Sequence, residues 1–340
     1  MIDVLVSGGG PAGLATALYA VRAGLSVTVR EPRTGEIDKA CGEGLMPGAL
    51  AALLDLGIDP PGQELTGIRY VAGERSVEAG FTGGPGRGVR RTTLHGALRR
   101  AALDAGVTLE RATVTDVVQH GGHVVVDGTP ARHLVAADGL HSPLRRSLGL
   151  DAGPASLRRY GLRRHYSRAP WTSHVEVHWA AATEAYVTPV APDLVGVALL
   201  TSTRGSFDDQ LSQFPGLRAR IAGTEAGEAV GAGPLRQRAR AHVAGRVLLV
   251  GDAAGYVDAL TGEGIALAVA QARVAVRAIA AEDVARYEHD WRTVTRHYRL
   301  LTASLLGATQ VRPLRRALVP AAQRLPGLFS GAVNALARSA

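Results

Sequence analysis

The sequence predicts an α/β protein: a parallel nucleotide-binding layer assembled from separated segments, an antiparallel β-sheet inserted between them, and helices at the C-terminal end. Three observations predict this architecture. Strand and helix patterns alternate at both ends of residues 1–281, β patterns dominate residues 158–203, and proline-interrupted helical patterns fill residues 284–340. The sequence shows no internal repeat and no flexible linker.

The chain opens with a predicted βαβ unit. Its strand, helix and second strand are residues 2–8 (IDVLVSG), 11–24 (PAGLATALYAVRAG) and 25–31 (LSVTVRE). After it, the sequence predicts a helix over residues 47–56, a break at residues 59–62 (DPPG), β alternation over residues 65–82 and a glycine-rich run at 83–88.

The middle of the chain continues the alternation. Thr92 starts a predicted helix that ends at Ala105, before Gly106, and strands are predicted over residues 107–110, 112–119, 123–127 and 133–137. Beyond the β-rich region we expect one helix in residues 204–228, a strand at 246–250 and an alanine-rich helix over 264–281. Pro313, Pro320 and Pro326 are predicted to break the C-terminal helices.

Composition excludes several classes of protein. Hydrophobic residues make up 46% of the 340 residues and charged residues 20%, which is typical of a packed globular chain. One cysteine excludes an intrachain disulfide framework and favours a reducing, cytoplasmic setting. We expect neither a signal peptide nor a membrane span, because no apolar run reaches about 18 residues.

The formal net charge of +8 raises the possibility of a nucleic-acid partner. The arginines are spread along the chain in pairs, and they form no single run interleaved with aromatic residues. A generally basic surface explains this distribution better, so we predict no nucleic-acid partner and no obligate protein partner. The eleven histidines show no metal-ligand spacing, and we predict no metal site.

A glycine motif after the first strand is the first feature of the sequence that indicates a bound ligand. Gly8, Gly10 and Gly13 form G-x-G-x-x-G between a strand and a helix, where the glycines allow a tight turn, a close approach of a pyrophosphate and close helix packing. The helix N-terminus attracts phosphates, and Glu31 ends the second strand where a carboxylate can bind ribose hydroxyls. This combination favours dinucleotide binding over an empty glycine-rich turn.

A second turn follows a later strand, in residues 246–255 (RVLLVGDAAG). The carboxylate of Asp252 at the end of that strand can hold polyol hydroxyls, and the small residues around it allow a flat ring to lie against the backbone. The helix that begins within TGEG (residues 261–264) would place positive charge beneath such a ring. Alternatively, Asp252 only caps an ordinary strand-to-helix turn.

Together these motifs resemble those of the FAD-dependent monooxygenase superfamily typified by p-hydroxybenzoate hydroxylase. Residues 135–149 resemble its third motif, with Asp138, Gly139, Ser142 and Arg145 at matching positions, and Arg91 resembles the arginine that contacts FAD. CGEGLMP (41–47) and LTGEGIALA (260–268) most resemble the geranylgeranyl reductase-like branch. The resemblance implies a Rossmann-like FAD-binding domain, non-covalent FAD and NAD(P)H as a transient reductant.

On this basis the chain divides into six predicted segments. They are FAD-binding parts at 1–64, 91–150 and 236–283, a substrate-sheet excursion at 65–90, a substrate-binding β-sheet domain at 151–235, and C-terminal helices at 284–340. The predicted FAD contacts are Gly8, Gly10, Pro11, Ala12, Gly13, Glu31, Pro32, Arg33, Cys41, Gly42, Arg91, Val114, Asp138, Gly139, Gly251, Asp252, Ala253, Gly262, Glu263, Gly264 and Ile265.

No catalytic cluster stands out in the sequence. Cys41 is either a reactive thiol or a packing and substrate contact, and Glu43 is either a proton donor or a helix-start carboxylate. Lys39, the only lysine, is interpreted as a solvated loop residue or a phosphate contact rather than as a catalytic amine. Tyr186, like His178 and Trp179, lines a substrate cavity or packs in the core.

Two activities remain open at this point, beside a non-catalytic FAD-binding role. The first is an NAD(P)H- and O2-using monooxygenase that hydroxylates or epoxidises an apolar small molecule through a flavin C4a-hydroperoxide. The second is a reductase or dehydrogenase of C=C bonds in a prenyl or polyene substrate, although residues 185–200 lack the aromatic segment of geranylgeranyl reductases and no halogenase motif is recognisable.

The C-terminal tail mixes arginines with apolar residues. It either rests on a membrane surface, closes over a lipophilic ligand, or simply caps the domain. Capping helices are the preferred interpretation, because the prolines shorten each amphipathic face.

Overall fold

The computed structural model describes residues 1–338, so the last two residues of the predicted segment 284–340 lie outside the described range. Within it the strands are β1 (Ile2–Ser7), β2 (Val27–Arg30), β3 (Gly44–Leu45), β4 (Gln63–Leu65), β5 (Gly67–Ala72), β6 (Arg75–Gly80), β7 (Gly86–Gly88), β8 (Thr108–Glu110), β9 (Val117–Gln119), β10 (Val124–Val126), β11 (Thr129–Ala136), β12 (Tyr160–Ser167), β13 (His174–Trp179), β14 (Thr183–Ala191), β15 (Leu194–Thr201), β16 (Val230–Ala232), β17 (Val243–Ala244) and β18 (Val247–Leu249).

The helices of the same range are α1 (Pro11–Arg22), α2 (Pro47–Asp55), α3 (Arg91–Asp104), α4 (Pro143–Ser147), α5 (Phe207–Leu211), α6 (Pro215–Ile221), α7 (Gly264–Ala280), α8 (Arg286–Gln310), α9 (Arg312–Arg324) and α10 (Pro326–Ala337). A single 3-10 turn covers Gly251–Ala254. The predicted α/β class, with a Rossmann-like layer built from separated segments, is confirmed.

The first sheet carries the parallel layer, in the order β17-β18-β11-β1-β2-β8, with β10 and β9 added beside β11. Strands β18, β11, β1, β2 and β8 run parallel. Their buried aliphatic residues fit strands that are covered on both faces. Because parallel strands end at one edge, the turns after β1, β2, β11 and β18 all open at the same side.

The second sheet has the order β16-β12-β15-β14-β13-β5-β6. Its neighbours pair antiparallel except for β13 and β5, which run parallel. Residues 67–80 therefore join the strands from residues 160–232 in one sheet. A third, small antiparallel sheet, β3-β7-β4, connects the stretch around Gly44 to the end of the glycine-rich run.

Three layers of apolar contacts hold the elements together. The largest core lies between the parallel sheet and helices α1, α2, α3 and α7. A second core packs α5 and α6 on one face of the antiparallel sheet, and a third packs α8, α9 and α10 on its other side. The cavity described below lies between the parallel layer, the antiparallel sheet and α10.

Four local predictions differ from the structure. Pro320 lies inside α9 and does not end it, whereas Pro313 and Pro326 occupy first turns, where a missing N–H costs little. Residues 204–228 form two short helices because Pro215 starts a second one. The end of the glycine-rich run is strand β7, and the predicted strand 112–119 is limited to its last residues.

Within residues 1–338, no helix combines the length and apolar character that crossing a bilayer requires.

Candidate functional site

The glycines of the loop at the start of α1 have two different roles. Packing and backbone conformation require two of them, whereas the third leaves open space. A Cβ on Gly13 would lie 1.8 Å from the Gly8 carbonyl oxygen, and Gly8 has a φ of +106°. A Cβ on Gly10 would meet nothing within 4 Å. No side chain caps the N-terminus of α1. Gly10 therefore keeps open an approach to free backbone N–H groups, the arrangement that receives phosphates.

Glu31, at the end of β2, is held beside this loop. The Gly9 N–H donates to Glu31 Oε2 at 2.8 Å, and the Arg33 Nε–H donates to Oε1 at 2.7 Å. Burial acts to raise the pKa of Glu31, but the hydrogen bonds from Arg33 and Gly9 outweigh it and hold that pKa below its ordinary value. The carboxylate stays ionised at the place where a ribose hydroxyl donor would arrive.

The turn after β11 leaves a polar atom without a partner. The Leu144 N–H donates to Asp138 Oδ2 at 3.0 Å, whereas Asp138 Oδ1 is buried and has no hydrogen-bond partner in the described part of the chain. Burial raises the pKa of Asp138. An orphaned carboxylate oxygen in a native site calls for a ligand that donates to it.

Arg145 ties this turn to the one after β18. Its side chain is 1% exposed and donates to the Ala253 carbonyl at 3.0 Å, the Leu140 carbonyl at 3.2 Å and Gln237 Oε1 at 2.9 Å. It also forms an ion pair with Asp151. The matching position that the sequence indicated for Arg145 is therefore a structural brace between two turns.

The turn after β18 touches the first glycine loop. A Cβ on Gly251 would lie 2.6 Å from the Ala12 Cβ, and the Gly251 N–H donates to Gln271 Oε1 at 2.8 Å. Burial raises the pKa of Asp252, and Lys39 and Arg91 act in the opposite direction. Two turns that are far apart in sequence thus meet in space.

Two cations face that aspartate. Lys39 lines the cavity, and its Nζ lies 3.1 Å from the position that a Cβ on Gly139 would occupy. Burial and the nearby Arg33 lower the pKa of Lys39, while Asp252 acts to raise it. Arg91 starts α3 and also lines the cavity, and its Nε has no partner within residues 1–338. Of the two readings of Lys39, the geometry favours the phosphate contact.

His95 is a supporting residue that the sequence reasoning missed. The Ile37 N–H donates to His95 Nδ1 at 3.1 Å, so the ring proton sits on Nε2, which donates to the Gly9 carbonyl at 2.9 Å. Burial lowers the pKa of His95 and keeps the ring neutral. The one available signal was its position in α3, one turn after Arg91 and on the same face.

The CGEG stretch holds Glu43 in a fixed, buried position with a φ of +59°. The Arg91 N–H donates to Glu43 Oε1 at 2.8 Å, and His165 Nε2 lies 2.6 Å from Oε2. Arg163, which can only donate, lies 3.0 Å from His165 Nδ1. The ring proton is therefore on Nε2 and points at Glu43, which has the geometry of a helix-start carboxylate.

Cys41 and Tyr186 both line the cavity. Cys41 Sγ accepts the Glu43 N–H at 3.4 Å, and burial raises the pKa of the thiol, which stays protonated. The Tyr186 hydroxyl donates to the Leu260 carbonyl at 3.0 Å, so its proton is engaged. His178 instead pairs with Glu176, and the Trp179 ring packs on Tyr70 at 5.3 Å between centroids.

One continuous cavity of about 260 Å³ runs from these turns to the inner face of α10. Its far wall is apolar, formed by Leu45, Met46, Ile68, Val175, Val177, Leu162, Leu199, Leu200, Leu235, Leu260, Val333, Leu336 and Ala337. Tyr70 lies among them, and burial raises the pKa of Tyr70 to about 12. The cavity therefore has one polar end of turns and one oily end.

The predicted FAD contacts divide into lining and supporting residues. Those that line the cavity are Gly10, Pro11, Ala12, Cys41, Gly42, Arg91, Gly139, Gly251, Asp252, Gly262, Gly264 and Ile265. Gly8, Gly13, Asp138 and Glu31 shape the turns next to it. Pro32 and Arg33 lie at the surface, whereas Val114, Ala253 and Glu263 are buried.

These residues fit FAD. An uncapped helix N-terminus with an open glycine beside it, two cations and an orphaned carboxylate oxygen offer complementary groups to a pyrophosphate and to hydroxyl donors. In residues 1–338, no three metal-ligating side chains gather as a metal centre would require.

Comparisons with known proteins agree with this geometry. The family described as FAD binding domain matches residues 1–204. A menaquinone reductase of Mycobacterium tuberculosis is 33% identical over 84% of this chain and 78% of its own length. Digeranylgeranylglycerophospholipid reductase 1 of Methanopyrus kandleri is 29% identical over 85% of each chain. The solved structure of a flavin-dependent brominase matches 99% of this chain and 93% of its own, with a TM-score of 0.84 and 19% identity, which shows a shared fold.

Proposed function

The chain belongs to the FAD binding domain family, in its geranylgeranyl reductase-like branch, and is an FAD-dependent oxidoreductase; from this premise we propose that it reduces a C=C bond in the prenyl chain of a lipophilic substrate. The observation that carries the proposal is the single cavity that joins the FAD-fitting turns to an apolar wall. The names of the two relatives favour this second of the two activities that the sequence left open.

The shape of the cavity suits a hydrocarbon chain. Its far wall offers aliphatic side chains from the antiparallel sheet, from β3 and from α10, with few polar atoms for a substrate to bind. A prenyl chain needs no hydrogen bonds, and burying it releases water from apolar surface. The polar groups are concentrated at the other end, where the cofactor belongs.

The proposed reduction adds two hydrogens to one double bond. FAD held by the turns of Gly10 and Asp252 would supply, once reduced by NAD(P)H, the hydride for one carbon. The other carbon takes a proton, and the chain offers O–H and S–H donors along the cavity: Cys41, Tyr70 and Tyr256. Burial raises the pKa of each, so each stays protonated at neutral pH. Glu43 and Tyr186 instead hold the cavity wall in place.

The apolar wall also excludes water from the reacting carbons. His165 and Arg91 fix Glu43 and with it the CGEG stretch, while Arg145 fixes the turn of Asp252. These contacts keep the donors at constant positions relative to the cofactor end. Specific positioning of this kind is the main contribution of a protein to cofactor chemistry.

The test is anaerobic turnover of the full-length protein with FAD and dithionite or NAD(P)H. Detergent-dispersed menaquinone and a geranylgeranyl lipid serve as substrates, and mass spectrometry measures the product. We expect a product that gains two hydrogens per turnover without oxygen. Cys41→Ser and Tyr70→Phe, matched to the conservative control Tyr19→Phe on α1, identify the proton donor by which one slows turnover of bound substrate.

Two other results would replace the proposal. A product that gains an oxygen atom, formed only in air, would establish the monooxygenase prediction. Bound flavin that NAD(P)H fails to bleach in the presence of substrate would leave a non-catalytic binding role.

A further inference from the structure

The last fifty residues have an extreme charge pattern. Residues 291–340 contain eight arginines and neither an aspartate nor a glutamate. Arg296, Arg312, Arg316 and Arg324 are exposed and have no carboxylate partner in the described part of the chain. This part of the molecule therefore presents positive charge that nothing in residues 1–338 neutralises, and it attracts an anionic surface.

The same helices expose apolar side chains next to that charge. Leu314 is 52% exposed, Leu325 54% and Leu328 70%, and Val311 and Leu300 are exposed as well. On α9, Leu314, Ala317 and Ala321 follow helical spacing on the face opposite the buried Arg315 and Val319. We call Leu314, Ala317, Ala321, Leu325 and Leu328 the outer stripe. Grouped exposed apolar residues of this kind mark an interaction surface.

Helix α10 connects this outside to the cavity. Val333, Leu336 and Ala337 line the cavity on its inner face, whereas Gly331, Ala332 and Ala335 are exposed on its outer face. Asn334 anchors the helix, because its Nδ2 donates to the Gly80 carbonyl at 3.0 Å and its Oδ1 accepts the Thr82 N–H at 2.7 Å. One helix therefore separates the oily end of the cavity from the basic, partly apolar surface.

We infer that α9 and the start of α10 dock on the surface of an anionic lipid bilayer, with the outer stripe at the level of the head groups and the arginines against lipid phosphates. Leucines beside arginines are the composition that interfacial helices use, and each arginine near an anionic bilayer adds to the attraction. Docking would bring the oily end of the cavity within one helix of the membrane. That this membrane holds a prenyl substrate rests on the proposed function.

Vesicle co-sedimentation of the full-length protein tests the docking. The probes are phosphatidylcholine vesicles with and without phosphatidylglycerol, each at low and high salt. We expect binding that needs phosphatidylglycerol and weakens as salt rises. Leu314→Asp with Leu328→Asp, and separately Arg312→Glu with Arg316→Glu, should each weaken binding about tenfold or more.

The matched control is Leu103→Asp with Arg100→Glu on α3, where Leu103 is 43% exposed on the parallel layer. This pair should bind like the unaltered protein. Circular dichroism and light scattering of every variant show that the fold is retained.

Equal binding by all variants, or binding that ignores phosphatidylglycerol, would overturn the inference. So would dimers of the unaltered protein that the leucine pair dissociates while vesicle binding stays the same, since the stripe would then face a second copy. Turnover of detergent-dispersed substrate without vesicle binding would refute the docking and leave the proposed function. Vesicle binding without turnover would refute the proposed function and leave the docking.

Discussion

The two sheets that meet at the cavity fix their functional groups by different means. The parallel sheet uses backbone: its strands end in turns of small residues, such as Gly10 and Gly251, whose shape leaves room for a ligand. The antiparallel sheet uses buried charge. Glu184 on β14 is 0% exposed and accepts from Arg159 on the approach to β12 and from Arg315 on α9.

The difference teaches where each half of the site is vulnerable. A turn of glycines tolerates little change in shape but needs no distant partner. A buried charge depends on residues far away in the chain, because removing one partner leaves an uncompensated charge in an apolar surrounding. The cofactor end is therefore sensitive to added atoms, and the substrate end is sensitive to removed ones.

The largest expected effect comes from removing an arginine that pairs with the buried Glu184 of the antiparallel sheet. Arg315→Met leaves Glu184 with Arg159 as its remaining ion-pair partner in the described chain, and should lower the free energy of unfolding by about 3–5 kcal/mol. Urea denaturation measures this loss. The control is Arg316→Met next to it, which is exposed and should change stability by less than about 0.5 kcal/mol. Equal effects of the two substitutions would contradict a stabilising role of the buried pair.

The next largest effect comes from adding a methyl group to the glycine loop that follows β1 of the parallel sheet. Gly10→Ala should keep the fold, because its Cβ meets nothing within 4 Å, yet weaken FAD binding about 100-fold by blocking the phosphate approach. Fluorescence titration of the apoprotein with FAD measures the affinity. Gly216→Ala on α6, which also has open space, should leave FAD binding unchanged. Unaltered affinity in Gly10→Ala would place the phosphates elsewhere.

A third test concerns a buried histidine of the parallel sheet. Burial, together with Arg246 and Arg132, lowers the pKa of His133 on β11 to about 4, whereas an unfolded histidine titrates near about 6.5. Since the unfolded chain binds the proton more readily, this residue's contribution to stability is complete above about pH 6.5 and is lost as the pH falls toward 4. His133→Leu should flatten the pH dependence of the denaturation midpoint in this range. An unchanged slope would mean that other groups cause it.

The smallest effect concerns a charge at the cofactor end. Lys39→Met should weaken FAD binding about fivefold and reduce its salt dependence, because one partly solvated cation near a phosphate contributes little. Lys39→Arg is the control that retains the charge. If Lys39→Met and the unaltered protein bind FAD equally at low and high salt, Lys39 faces solvent when the cofactor is present.

The sequence predicted the backbone half of the site better than the charged half. The glycine loop and the turn of Asp252 are local, since spacing and strand context specify them within a few residues. The contact between Glu43 and His165 joins residues 122 positions apart, and no local pattern encodes it. Pro320 was expected to break a helix, but the buried Arg315 and Val319 anchor the turns of α9 that lead into it.

The scarcity of lysine has a practical consequence. Acylating esters and formaldehyde react with neutral amines, and beside the N-terminal amino group this chain offers them only Lys39, inside the cavity. Apart from the exposed N-terminus, dyes, cross-linkers and resins that attach through amines would therefore react at the functional centre and not elsewhere on the outer surface. An intact-mass spectrum after such labelling would count one internal adduct, and its disappearance on adding a ligand would measure occupancy without any enzymatic assay.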